Sequence, residues 1–147
     1  MKPIQINPIG YVKRTSKEEN DKNRSLISRI IINKNLTNAL DSLEDFSHIY
    51  IIFWMNKIKA TNYIHHPKMV QNSKLIGIFA TRAPIHPNPI GLTIVKLIKR
   101  EMNILWVEGL DAFDNTPVLD IKPFPDWEHG KCIIVTDFKI PNWLKKE

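Results

Sequence analysis

A chain of 147 residues is long enough for one hydrophobic core and too short for two, so a single domain spanning 1–147 is the expectation. Its 43% hydrophobic content is ordinary for a globular protein, no apolar run nears the roughly 18 residues of a membrane span, and no secretory leader is visible, which predicts a soluble cytoplasmic protein without a membrane partner. A net charge of +6 favours a polyanionic partner such as nucleic acid, and the lone Cys132, in the apolar run 132–135, excludes an internal disulfide and a multi-cysteine zinc site.

In chain order, Ile4, Ile6, Ile9 and Tyr11 alternate around Pro8 as a first strand, followed by a polar loop over 13–24. Residues 26–32 form a second strand, after which Asn35 caps a short helix with Leu36, Leu40 and Leu43 at helical spacing. Residues 49–55 are an unbroken apolar, β-branched and aromatic run, the signature of a strand buried on both faces. Segments 75–80, 92–98, 104–107, 117–121 and 133–138 add short strands between Pro, Gly, Asn and Asp, and 143–147 reads as a loose tail. Many short strands and little helix predict a mostly β fold, a sandwich or a barrel.

Two segments are the candidates for chemistry, each with a plain alternative: a tight surface turn for 77–91 and an exposed hairpin with solvated charges for 108–122. In 77–91, Pro84, Pro87 and Pro89 stiffen a loop that presents Arg82, His86 and Asn88 at little ordering cost. In 108–122, four acids and a lysine surround a turn that Asn115 alone would supply, more charge than a plain hairpin needs. The five glycines form neither a phosphate loop nor a G-x-G-x-x-G, which excludes a Rossmann nucleotide site. His65 and His66 point apart on an extended segment and would not share an ion, so no metal site is expected; His48 reads as a local hydrogen-bonding residue, and His129 lies in a loop.

The run Gly77-Ile-Phe-Ala-Thr-Arg-Ala-Pro-Ile-His-Pro-Asn-Pro-Ile-Gly-Leu92, with Leu43-Glu-Asp-Phe-Ser-His48, Asp114-Asn-Thr-Pro-Val-Leu-Asp-Ile-Lys-Pro123 and the opening Ile9-Gly-Tyr-Val12, resembles the TsaA-like family, also called TrmO. The resemblance implies a small β-barrel with one or two short helices. It implies binding of S-adenosylmethionine, usually by a homodimer with each cofactor site near the subunit interface, and methylation of N6 of threonylcarbamoyladenosine beside the anticodon of tRNA. By the same resemblance Asn56, Lys57, Arg82, Leu92, Glu108, Gly109, Leu110 and Asp111 are the cofactor contacts. The cofactor carries a carboxylate, an adenine edge and a sulfonium, so cations, backbone groups and an apolar wall are the partners it needs.

Three departures qualify the resemblance: His86 stands where many relatives have arginine, Asn56 where some have histidine, and the C-terminal domain of longer bacterial relatives is absent from these residues. The expected reaction is direct in-line transfer of the methyl group, helped by a weak base, for which Asp111, Asp114 and His86 are the candidates. A small-molecule methyltransferase and a non-catalytic nucleoside-binding barrel are the alternatives. For anticodon-loop docking, Lys57, Lys59, Lys74, Lys96, Lys99 and Arg100 supply charge; Trp127 and Trp143 are expected as stacking surfaces, with Trp54 and Trp106 in the core.

Overall fold

Period-two alternation builds the main element, because strands with one apolar face stabilise each other only by curling that face inward. In the computed structural model, which describes residues 2–15, 27–59, 64–65, 76–124, 127–128 and 131–132, the strands are β1 (Gly10–Arg14), β2 (Ile27–Ile32), β3 (His48–Trp54), β4 (Ile64–His65), β5 (Ile76–Gly77), β6 (Ile90–Glu101), β7 (Ile104–Glu108), β8 (Pro117–Phe124), β9 (Trp127–Glu128) and β10 (Lys131–Cys132). Six of them close into an antiparallel barrel in the order β1-β2-β7-β6-β3-β8, and β4-β5 and β9-β10 form separate two-stranded sheets. The chain divides into two compact units, Met1–Lys57 with Ile90–Pro125, which holds the barrel, and Ile58–Pro89 with Asp126–Glu147. No helix among the described residues is long and apolar enough to cross a membrane.

Inside the barrel Val12, Ile30, Ile49, Ile51, Leu105 and Val107 are fully buried. The run over 49–55 is the barrel strand β3 but not a strand buried on both faces: Ile49, Ile51 and Phe53 are buried, while Tyr50, Ile52 and Trp54 are half-buried on the outside. A single closed layer has only one dry side, and apolar composition alone does not reveal that.

The first strand also shifts. Ile4 and Ile6 are 88% and 55% exposed and backbone pairing begins only at Ile9, whose N–H donates to the Val118 carbonyl at 2.8 Å, since Pro3 and Pro8 cannot donate to a ladder. Lys13 and Arg14, expected in a loop, are the end of β1, whereas residues 16–24 of that loop lie outside the described residues. Gly10 is required by contact rather than by backbone angle: a Cβ there would meet the Ile31 carbonyl oxygen and lie 2.9 Å from Ile32 Cα.

The predicted helix is a 3-10 helix over Lys34–Leu40 followed by a turn at Leu43–Asp45, with Ser42 between them at φ 65°. Asn, Thr, Ser and Asp crowd this stretch, and their side chains compete for backbone groups, as when the Thr37 hydroxyl donates to the Lys34 carbonyl at 2.7 Å. Leu40 still reaches the core, with Leu36 and Leu43 packed against it. Arg100 ties this connection to the β6-β7 hairpin, donating to the carbonyls of Leu40, Thr37 and Met102 and pairing with Asp41 at 2.8 Å and Glu44 at 3.2 Å. The segment over 75–80 is β5 and a 3-10 turn, Ile78–Ala80, and the strand expected at 133–138 lies outside the described residues.

Candidate functional site

The charged segment after β7 is not a hairpin. Its flanking strands are not neighbours: β7 pairs with β2 and β6, and β8 pairs with β1 and β3. In the closed order β7 and β8 stand three places apart either way round, so residues 109–116 form a strap across one end of the barrel. Gly109 makes the turn out of β7 at φ 98°, a conformation that disfavours a side chain. Leu110 and Ala112 then point inward, each 2% exposed, while Asp111 and Phe113 point out.

The strap is pinned to β1. Arg14, itself buried, donates through Nη1 to the Ala112 carbonyl at 3.0 Å. Asp114 accepts the Arg14 backbone N–H on Oδ1 at 2.8 Å and Lys13 Nζ on Oδ2 at 3.1 Å. Asn115, at φ 61°, turns the chain so that its N–H meets the Val12 carbonyl at 2.8 Å, after which β8 begins. Burial alone would raise the Asp114 carboxyl, but the Arg14 N–H, Lys13 and more distant Lys57 outweigh it and hold the group below the usual aspartate range.

Antiparallel register sets the rest of this rim. The ends of β1, β3 and β7 and the starts of β2, β6 and β8 share it, which brings Asn56, Lys57, Leu92, Glu108, Gly109, Leu110, Asp111 and Asp114 to one end of the barrel. Thr93 Oγ1 donates to Asp111 Oδ1 at 2.6 Å, and Lys57 Nζ stands 5.3 Å from the centre of the Phe113 ring. Leu92, 45% exposed, and Phe113, 41% exposed, offer apolar surface beside these charges. Leu110 does not face outward; only its backbone is available to a ligand.

Arg82 and His86 belong to the second unit. The Thr81 hydroxyl closes the turn ahead of Arg82, donating to the Ile78 carbonyl at 2.8 Å and accepting the Ala83 N–H at 3.2 Å. His86 Nε2 lies 3.1 Å from the Thr81 carbonyl oxygen. A carbonyl only accepts, so Nε2 carries the hydrogen and, in the neutral ring, Nδ1 is the basic nitrogen. Arg82 is exposed, and the Thr81 hydroxyl braces the turn ahead of it.

The family model for the tRNA-methyltransferase O N-terminal domain matches residues 14–127. The chain belongs to that family. It is 35% identical to a probable S-adenosyl-L-methionine-binding protein of Pyrococcus abyssi over 98% of this chain and 79% of the relative. It is 38% identical to a mouse tRNA (adenine(37)-N6)-methyltransferase over 82% of this chain and 31% of the relative. A crystal structure of TrmO superposes with a TM-score of 0.70 and 28% identity, covering 95% of this chain, and one of TrmO from Pseudomonas aeruginosa with 0.67 and 26%, also covering 95%. The chain spans 61% and 64% of those two solved structures. The mostly β barrel, expected from the resemblance, is the fold of this tRNA-methyltransferase O domain.

Within this family setting, three residues that the sequence reading left out build the rim: Lys13, Arg14 and Thr93. Thr93 was legible, since it sits next to Leu92 two residues after Gly91. Lys13 and Arg14 were hidden by polarity, which made a strand end look like a loop. The donor set of the rim fits a zwitterionic sulfonium nucleoside: the Lys57 cation, the exposed Asp111 carboxylate, backbone groups at Gly109 and apolar surface at Leu92.

Proposed function

We propose that this protein is an S-adenosylmethionine-dependent tRNA methyltransferase whose acceptor is N6 of threonylcarbamoyladenosine beside the anticodon. The family match carries this reading, since it spans residues 14–127 and includes every residue assigned to the cofactor. It also runs through both compact units, which supports treating 1–147 as one TsaA-like domain. A tRNA acceptor implies a cytoplasmic enzyme.

When bound, the cofactor supplies an electrophilic methyl group on sulfur. Asn56, Lys57 and the backbone of Glu108, Gly109, Leu110 and Asp111 would hold its polar edges and Leu92 would supply apolar wall; on the family resemblance, Arg82 would pair with its carboxylate. Of the three base candidates, Asp114 is the least suited, because both its oxygens are engaged and its carboxyl is held low. Asp111, exposed and oriented by Thr93, and His86, through Nδ1, are left to take the proton. The attached carbonyl already acidifies the N6 hydrogen, so a weak base suffices.

A homodimer is part of the proposal. On the outer face of β6, Ile90, Leu92 and Ile94 are 42–46% exposed, and their partners across the ladder are Trp54, Ile52 and Tyr50. A second copy seated on this apolar stripe would bury it and bring the interface to Leu92, the proposed cofactor wall; sedimentation at micromolar concentration should give twice the monomer mass.

Incubation with labelled S-adenosylmethionine and tRNA from a strain lacking the homologue, followed by mass spectrometry of nucleosides, should show one added methyl on threonylcarbamoyladenosine. Label confined to small molecules, or cofactor binding with no transfer, would refute the tRNA reading.

A further inference from the structure

Trp106 is not a core residue. It projects from the outside of β7, half-buried, between two cations: the Arg29 guanidinium carbon is 5.4 Å and Lys99 Nζ 4.7 Å from its ring centre. The register places these residues in one row across four strands, since Lys13 pairs with Arg29, Arg29 with Trp106, and Trp106 with Lys99. Alternation puts all four on the outer face, because Val12, Arg14, Ser28, Ile30, Leu105 and Val107 between them are buried. The result is a cation-aromatic band around one side of the barrel.

We propose that this band is where the RNA backbone lies while the target base occupies the rim, an inference that rests on the tRNA reading above. Three observations point to a polyanion. Among the described residues Arg29 has no carboxylate partner and its shielded Nε no acceptor, so the ring rather than an acid of that set holds it in place. Lys99 is paired with Glu101 at 2.6 Å, but both side chains are at least half exposed, and such pairs are weak enough for a phosphate to displace. Trp106 gives a base or ribose an apolar platform between the cations. Position fits as well: Trp106 is two residues from Glu108 along β7, about 7 Å from the rim.

Of the cations that sequence composition offered, the band contains Lys99. Arg100 is consumed by Asp41, Glu44 and three carbonyls. Lys74 lies outside the described residues, as does Trp143, whereas Trp127 starts β9. Arg29 was not singled out, because one arginine in an apolar strand gives no local sign of the tryptophan opposite it.

The test is binding of a tRNA transcript across a salt series, by filter retention or anisotropy, alongside calorimetry with S-adenosylmethionine. Arg29→Gln and Lys99→Gln should each weaken tRNA binding several-fold at about 0.1 M salt and flatten the log–log salt slope by roughly 0.7–0.9 per residue. Trp106→Leu should weaken binding by about tenfold. Lys122→Gln, on β8 across the barrel, should change neither affinity nor slope, and Arg29→Gln and Lys99→Gln should bind S-adenosylmethionine like wild type. Wild-type tRNA affinity and slope in the Arg29→Gln/Lys99→Gln double variant, with wild-type protein methylating tRNA normally, would overturn the band while leaving the function intact. An equal loss in Lys122→Gln would overturn it in favour of diffuse charge. Wild-type protein that neither binds nor methylates tRNA would bring down both readings.

Discussion

Asp114 is the residue on which the strap turns, and replacing it isolates what the strap contributes. Its Oδ1 accepts the Arg14 backbone N–H at 2.8 Å, and removing the carboxylate leaves that donor without its charged acceptor, at a cost of about 1.5–3 kcal/mol. Its Oδ2 pairs with Lys13, whose side chain is 42% exposed, so that half is worth at most about 1 kcal/mol. Asp114→Ala should therefore lose about 2–3 kcal/mol of unfolding free energy and Lys13→Ala about 0.5 kcal/mol. Asp114→Asn, which keeps an oxygen for the Arg14 N–H, should fall between them. The pH dependence has a definite sign. The folded carboxyl is lowered from its ordinary value of 3.8, so its stabilisation is complete above that value and lost as pH falls through the folded one. Urea unfolding at pH 7, 5, 3.5 and 2.5 should show the gap between wild type and Asp114→Ala constant over the first two and closing over the last two. Equal losses in Asp114→Ala and Lys13→Ala, or a gap unchanged at pH 2.5, would refute the view that a charged backbone anchor holds the strap.

If Arg82 pairs with the cofactor carboxylate as proposed, Arg82→Ala should weaken S-adenosylmethionine binding by about tenfold or more in calorimetry, the loss of one charge-assisted contact. Leu110→Ala should cost about 2–5 kcal/mol in chemical unfolding, the range for emptying a buried leucine site. Gly10→Ala should be more damaging than its one methyl suggests, since the obstacle is the backbone of Ile31 and Ile32, which cannot rotate away; a fall in the urea midpoint at least as large as that of Leu110→Ala is expected. Single-turnover rates should fall in Asp111→Asn or His86→Gln, and full rates in both would remove both from the role of base.

The comparison of Arg100 with Arg29 shows what sequence can and cannot rank. Both are arginines in strand-forming stretches, yet Arg100 is a staple with two acidic partners some sixty positions away, and Arg29 is a cation over an indole. Their roles are set by cross-strand register, which one-dimensional pattern does not contain. The same limit made residues 108–122 look like a hairpin: strand-turn-strand chemistry is local, whereas the choice of partner strand is made by the whole barrel.

The sequence alone determined the local rules: which segments extend, that Pro84, Pro87 and Pro89 stiffen the Arg82 turn, and that the chain resembles the TsaA-like family. Those features depend on backbone torsions, side-chain period and motif identity, all readable within a few residues. The tertiary structure decided which face of β3 is dry, that residues 109–116 cross the barrel end, and that Lys13, Arg14 and Thr93 hold the rim. Barrel closure is the physical reason, because it assigns every strand two neighbours and an inside, and residues far apart in the chain become partners only once that circle is complete.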